Sequence, residues 1–285
     1  NDERSQYYNR WTVSGRSGNG LGKKYDQIYE STTTESMLTF NKKLGVHALN
    51  AVVGFTYEES MWKSKSMQSS NYPSDVNEDN NIGAGVSEIE LGSDRGKSQL
   101  MSYLVRGNYN LLDRYLVTAS FRRDGSSRLS PLSRWANFYS GAIAWRLSDE
   151  PFIKSLNFFD NLKLRFSAGQ TGNQSVDAYA TQTVLTASNN NYPMNGSLTN
   201  GLAQDRYKVA APKLLKWEIV TKYDLGVDAS FFNNRVNLVA DIYYKKTDGL
   251  LMNKMISWAT GFEEIRSNLG NVTNKGLEIS GNFIP

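Results

Sequence analysis

Hydrophobic and polar residues alternate with a period of two along most of this sequence, and helical periodicity is nearly absent. In one segment the apolar positions are separated by mostly polar ones, with Tyr115, Val117, Ala119 and Phe121 against Leu116, Thr118, Ser120 and Arg122. Successive side chains of a β-strand point to opposite faces of the sheet. The pattern therefore predicts strands with one apolar face and one polar face.

The predicted strands are long. A typical globular strand has about 5–6 residues, whereas a strand that crosses a bilayer needs about 9–11. The nine predicted strands cover residues 25–43, 47–64, 97–110, 114–124, 135–147, 161–171, 213–232, 235–251 and 273–284. Their length favours strands that span a membrane.

The connections between these strands alternate between short and long. The short ones lie at 44–46, 111–113, 148–160 and 233–234, and the long ones at 65–96, 125–134, 172–212 and 252–272. Outer-membrane β-barrels have tight periplasmic turns and long external loops. In such a barrel the apolar face contacts lipid, the charged face lines the lumen, and aromatic residues form belts at the two interfaces. The expected belt residues are Tyr115, Trp135, Trp145, Trp217 and Tyr244.

The alternative is a soluble β-rich protein, such as an adhesin or a surface glycan-binding protein. In that case the apolar faces of two sheets would pack about 10 Å apart. Hydrophobic residues make up 39% of the chain, which is low for a globular core, but the 12% of aromatic residues argues against disorder. The net charge of +4, with both signs well mixed, indicates no nucleic-acid surface.

The sequence offers little for catalysis or metal binding. It has no cysteine, and His47 is its single histidine. Asp75, Asn77 and Asp79 begin a calcium-loop pattern, but Asn80 and Val86 stand where that pattern needs Gly and Glu. We therefore predict no enzyme activity, no cofactor and no metal site, with a looser calcium site between loops left open.

Several segments together resemble the barrel of SusC/RagA-type TonB-linked outer-membrane proteins of the Bacteroidetes. They read RYLVTASFRRDGSSR, RWANFYSGAIAWRLSDEPF and LKLRFSAGQTGNQ, followed by KLLKWE and NLGNVTNKGLEIS. The resemblance implies an all-β fold, an antiparallel transmembrane β-barrel of which this chain supplies about nine of roughly 22 strands. It also implies a location in the bacterial outer membrane and active import of oligosaccharides or peptides.

The same resemblance implies partners. TonB would supply energy through a missing N-terminal region, a SusD-like surface lipoprotein would cover the external mouth, and the wall would contact outer-membrane lipid and lipopolysaccharide. The first residues are polar and the last ones lie within a strand. We expect residues 1–285 to be a partial TonB-dependent receptor β-barrel domain, with no plug, no signal peptide and no C-terminal closing strand.

Two features bear on ligand contacts. Asp124-Gly125 predicts a turn, beside which three arginines could pair with Asp124 or with lipopolysaccharide phosphates; these are Arg122, Arg123 and Arg128. Three loop aromatics are candidate stacking residues for sugar rings, although aromatics at a membrane rim have a simpler explanation. These candidates for substrate binding are Tyr72, Tyr192 and Trp258.

Overall fold

The computed structural model describes residues 1–182, 185–194, 197–204 and 214–284, and of Glu88, 185–194 and 197–204 it describes the backbone alone. In these residues the chain forms twelve strands: β1 (Asp2–Tyr8), β2 (Leu21–Leu44), β3 (His47–Ser70), β4 (Ser87–Leu111), β5 (Tyr115–Ser126), β6 (Trp135–Arg146), β7 (Asn161–Asn173), β8 (Leu185–Met194), β9 (Ser197–Gln204), β10 (Glu218–Phe231), β11 (Val236–Met255) and β12 (Glu264–Phe283).

The helices are short. Two α-helical turns are described, α1 (Val13–Arg16) and α2 (Pro151–Lys154), together with 3-10 segments at Glu78–Ala84, Pro131–Ser133, Leu147–Asp149 and Trp258–Thr260. No helix in the described ranges has the length and apolar character needed to cross a bilayer. The helix α2 begins at Pro151, within the connection between β6 and β7.

Ten of the described strands form one antiparallel sheet, in the order β1-β2-β3-β4-β5-β6-β7-β10-β11-β12, and β8 pairs with β9 in a separate hairpin. The chain divides into two compact units, residues 1–33 with 58–99 and residues 34–57 with 100–285. The second unit contains all of β5 to β12.

Each of the nine predicted strands corresponds to a strand of the large sheet, but several run farther than predicted. β3 continues to Ser70 and β4 begins at Ser87, so the predicted loop 65–96 is strand at both of its ends. β1, β8 and β9 lie outside the prediction altogether. Most of the missed residues are polar, so the alternation there is weak; an exception is the start of β4, where Ile89 and Leu91 alternate with polar residues.

One hairpin extends well past its neighbour. β10 pairs with β11 only as far as Ile219↔Asp248, whereas β11 and β12 stay paired up to Met255↔Glu264. The predicted loop 252–272 therefore consists largely of paired strand, and only residues 256–263 connect the two strands. We call the end of the strands at which this connection lies the loop end, and the other end of the strands the turn end.

The connections at the turn end are tight, as predicted. Leu112 and Asp113 have φ of 58° and 56° between β4 and β5, and Asn233 and Asn234 have φ of 56° and 61° between β10 and β11. Consecutive residues with positive φ match the right-handed twist of hairpin strands. Asn and Asp tolerate this conformation because their side chains bond to nearby backbone.

The strand register collects the apolar side chains on one face. Ile143 pairs with Val117 on one side and with Phe166 on the other, and Leu225 pairs with both Phe166 and Ile242. We call this surface the apolar face. Its side chains are exposed, with Ile143 at 56%. Since a two-sheet sandwich would bury these residues, the structure contradicts the soluble alternative.

Aromatic rings border the apolar face at both ends. Toward the loop end Tyr103 stacks on Trp135 at 6.1 Å and Tyr223 meets Tyr244 at 6.4 Å; toward the turn end Tyr115 stacks on Trp145 at 6.2 Å. Residues 223–231 of β10 rise about 27 Å along the strand. At the usual tilt of a barrel strand this is about 20 Å across the membrane, close to the apolar band of outer-membrane barrels.

One expected belt residue lies elsewhere. Trp217 precedes β10, so the alternation of that strand does not fix its direction, and its side chain is only 6% exposed. Its ring packs on Phe138 at 5.7 Å, and its Nε1 donates to the carbonyl of Arg134 at 2.9 Å. The buried cluster at the loop end comprises Leu129, Phe138, Val176, Leu215 and Trp217.

The predicted turn at Asp124-Gly125 is also wrong. β5 continues to Ser126, and Gly125 pairs with Trp135. A Cβ at Gly125 would lie 2.7 Å from the Trp135 ring. This glycine therefore makes room for a belt residue on the neighbouring strand instead of bending the chain.

A carboxylate secures the turn end. Glu150 Oε1 accepts hydrogen bonds from the Tyr115 hydroxyl at 2.6 Å and from Trp145 Nε1 at 3.1 Å, and Arg114 lies 3.5 Å from Oε2. These donors lower the pKa of Glu150, the Tyr115 hydroxyl most and then Trp145 Nε1. The carboxylate thus ties the connection after β6 to the aromatic belt.

Replacement of Ile143 by Arg tests the assignment of the apolar face. In the full-length protein, Ile143→Arg should lower the free energy of unfolding in a bilayer by about 2–4 kcal/mol, because a guanidinium in the middle of the hydrocarbon loses its hydration. Denaturant titration in lipid vesicles measures this. The neighbouring Ala142→Arg, on the opposite face, is the control and should cost much less. Equal costs for the two variants would contradict the assignment.

The lowered pKa of Glu150 predicts a pH-dependent contribution to stability. Because the folded protein favours the ionised form, this contribution is complete above the ordinary carboxyl pKa and disappears as the pH falls through the lowered one. Glu150→Gln should destabilise the protein at pH 7, and the difference from the unsubstituted protein should shrink in acid. Asp149→Asn, at a residue without a side-chain partner among those described, should show no such trend.

Candidate functional site

The second face of the larger unit is polar, and a network of ion pairs crosses it. Arg165 Nη2 lies 2.7 Å from Asp228 Oδ1 and 3.0 Å from Asp241 Oδ1, and Lys163 Nζ lies 3.2 Å from Asp228 Oδ2. The four residues come from β7, β10 and β11. Their side chains are between a fifth and a third exposed, so water screens the pairs only in part.

A glycine makes this network possible. In the register Arg165 lies beside Gly226, which in turn lies beside Asp241. A Cβ on Gly226 would clash with Asp241 Oδ1 and would come within 2.8 Å of Arg165 Nη2. The missing side chain therefore lets the guanidinium reach across a whole strand to Asp241.

Nearer the loop end the polar face carries more cations. Lys222 Nζ lies 2.9 Å from Asp224 and 5.5 Å from the centre of the Tyr243 ring. Arg122 Nε lies 2.7 Å from Asp124 Oδ1, and its Nη2 donates to Ser102 at 3.1 Å. These pairs leave both cations about half exposed.

Between Lys222 and the pair of Arg122 with Asp124, the polar face forms a depression of about 760 Å³. Its floor consists of small residues. Ser120 and Ser140 share a hydrogen bond of 2.6 Å between their hydroxyls, and Gly169 lies beside Ser140 in the register. The charged residues around it are Arg106, Arg122, Asp124, Lys222 and Lys245.

The sequence pattern could not identify this group of residues. Arg106, Lys222 and Lys245 lie on β4, β10 and β11, and each is simply a polar residue in an alternating strand. Only the register brings them into one row. A search of strands for paired cations at matching positions would be the nearest sequence signal.

The three candidate stacking residues have different surroundings. Tyr72 is fully buried in the smaller unit, with its ring 5.1 Å from that of Tyr7 and its hydroxyl 2.8 Å from Ser69 Oγ. Tyr192 lies in β8, where the side chains are outside the described part of the structure. Trp258 is 67% exposed on the connection between β11 and β12. A role for any of them in binding stays a prediction.

Three of the polar residues singled out in the sequence have identified partners. Asp75 accepts hydrogen bonds from the Tyr7 hydroxyl at 2.5 Å and from Arg10 Nε at 2.9 Å, and the Tyr7 bond followed by Arg10 lowers the pKa of this carboxyl. Arg128 Nη1 donates to the carbonyl of Val176 at 3.1 Å. Arg123 lies 5.3 Å above the ring of Trp135, at the rim of the apolar face.

Known families account for this arrangement. The model of the family described as TonB dependent receptor-like, beta-barrel, matches residues 1–283. The chain belongs to this family. Its sheet is part of an antiparallel transmembrane β-barrel of the SusC/RagA type, located in the outer membrane, as the resemblance in the sequence predicted.

Individual members of the TonB-dependent receptor family support the assignment. TonB-dependent receptor P3 of Formosa agariphila is 32% identical over 271 residues, which are 93% of this chain and 26% of that protein. TonB-dependent receptor SusC of Bacteroides thetaiotaomicron is 37% identical over 66% of the chain and 19% of its own length. The chain thus spans about a quarter of such relatives.

A solved structure of the family agrees with the fold. The RagAB peptide transporter superposes with a TM-score of 0.79 at 25% identity, over 92% of this chain and 28% of the other. The predicted family, fold class and location are therefore confirmed.

The ion-pair network on the polar face should contribute to the stability of this receptor barrel. Arg165→Met leaves Asp241 without a cation and Asp228 with Lys163 alone. We expect a loss of about 1–2 kcal/mol, below the cost at a fully buried pair because the site is partly hydrated. Denaturant unfolding of the full-length protein measures this. The control is Lys246→Met, which removes an exposed pair with Asp248. That variant should stay within about 0.5 kcal/mol, and a similar loss in both would argue against the network.

Proposed function

We propose that the full-length protein is an active importer of the outer membrane that takes up oligosaccharides or peptides. This chain forms part of its wall and of its extracellular loops. The observation that carries the proposal is the pairing of two unlike faces on one sheet. An exposed apolar face bordered by aromatic rings faces lipid, and a polar face with partly hydrated ion pairs faces an aqueous lumen.

The family relationship supports active uptake over passive diffusion. The Formosa and Bacteroides relatives are TonB-dependent receptors, and the superposed structure is a peptide transporter. We propose that TonB drives the transport, acting through a part of the full-length protein other than this barrel segment. The polar face would then guide the ligand along the lumen without any chemical change to it, so the protein is not an enzyme.

We further propose a SusD-like lipoprotein at the external mouth and lipopolysaccharide around the wall as partners. The loop end of the sheet would face the lipoprotein. Arg123 lies at the rim of the apolar face above Trp135, which suits contact with lipopolysaccharide phosphates. Trp258, exposed at the tip of the extended hairpin, is the candidate among the predicted aromatics best positioned to meet a ligand outside the membrane.

Uptake measurements test the proposed function. Cells that produce the full-length protein should accumulate a labelled oligosaccharide or peptide that it binds, and a protonophore should abolish accumulation while surface binding continues. An otherwise identical strain that lacks TonB should behave like the protonophore-treated cells. Uptake that persists in both conditions would indicate a passive pore and would contradict the proposal.

A further inference from the structure

Two of the four cations that line the depression have no counter-charge in the described part of the chain. Arg106 and Lys245 are exposed, and neither has an ion pair or a side-chain hydrogen bond among the described residues. Other cations on this face do have partners, including Lys163, Arg165 and Lys222. Arg106 and Lys245 both line the depression.

These cations lie in one row across the sheet. Arg106 pairs with Ser120, Ser120 with Ser140, and Ser140 with Gly169. Gly169 then pairs with Lys222, and Lys222 with Lys245. Four strand spacings separate Arg106 from Lys222, about 19 Å of sheet. The row therefore places positive charge on both sides of a floor without long side chains.

One step of the row is unfavourable by itself. Lys222 and Lys245 are direct cross-strand neighbours, and like charges directly opposite each other destabilise a sheet. Asp224 neutralises Lys222, but no described carboxylate reaches Lys245. An anion bound above this pair would remove the repulsion.

The charge on the polar face also changes along the strands. Toward the turn end lie more carboxylates than cations, with Asp224, Asp228, Asp241 and Glu278 against Arg146, Lys163 and Arg165. Toward the loop end the balance is reversed, with Arg106, Arg122, Lys222 and Lys245 against Asp124 and Glu218. A negatively charged ligand that arrives from the loop end would meet the cations first.

We propose that this depression binds an oligosaccharide that carries carboxylate or sulfate groups. Arg106 and Lys245 pair with its anionic groups, and the hydroxyls of Ser120 and Ser140, which bond to each other, keep capacity for sugar hydroxyls. The inference rests on the proposed importer function and names the class of its cargo. An acidic peptide could pair with the two cations, but it offers fewer hydroxyl groups than a sugar to hydrogen-bond with Ser120 and Ser140.

Calorimetric titration of the purified full-length protein tests the proposal. The probes are an oligosaccharide of uronic acids, a sulfated oligosaccharide, a neutral oligosaccharide of the same length, and an oligo-aspartate peptide. The variants are Arg106→Gln, Lys245→Gln and the double substitution. The control is Lys246→Gln, at the next residue of the same strand, whose side chain pairs with Asp248.

We expect each single variant to weaken binding of at least one acidic oligosaccharide about tenfold, and the double variant about a hundredfold, since each removes one charge-assisted hydrogen bond. Added salt should weaken binding to the unsubstituted protein. Lys246→Gln should bind as the unsubstituted protein does. The neutral oligosaccharide should bind weakly and equally to all forms.

Several results would overturn the proposal. They are no measurable binding of either acidic oligosaccharide, equal affinity for the neutral one, unchanged affinity in the double variant, and tighter binding of the peptide. A loss of thermal stability without a loss of affinity would assign the cations to another protein segment and would also overturn it. Energised uptake of a neutral cargo would refute this inference alone, whereas a passive pore that binds uronates would refute the importer function alone.

Discussion

The backbone hydrogen bonds between neighbouring strands are the constraint on which the rest of this structure depends. Hydrocarbon offers no partner to an amide or a carbonyl, so each strand within it must be paired on both sides. The described register meets this demand with long uninterrupted ladders, from Glu218↔Asn173 to Ser230↔Asn161 between β10 and β7. Once the ladder is fixed, the period of two decides which side chains meet lipid and which meet water.

The same constraint explains what sequence reasoning could achieve. Strands such as β5 and β10 were predictable because lipid on one side and water on the other impose strict alternation. Strand ends beyond the apolar band lack that contrast, so β3 and β11 extend farther than the pattern indicated. The side chain of Trp217 was unpredictable for a related reason, because it lies outside the strand and responds to the packing of loops.

The candidate site was harder to predict from the sequence than the fold was. Arg165 contacts Asp241 across a strand only because Gly226 stands between them. Three residues on three strands must be in register before that contact exists, and no local motif records it. The row from Arg106 to Lys245 has the same character. In such a barrel wall the charged groups that act together come from different strands. The alternation of the sequence therefore predicts the strands, whereas only the coordinates show which charged residues are neighbours.

The extended hairpin of β11 and β12 has a consequence for how such proteins can diversify. Its two strands remain hydrogen-bonded to each other well past the last residue paired with β10, and a short connection closes them. The tip is thus carried on a two-stranded ladder of its own. Residues 256–263 can therefore be replaced by mutation without altering the strand pairing in the wall. The ligand preference at the cell surface can change in this way while the membrane-spanning part of the barrel stays intact.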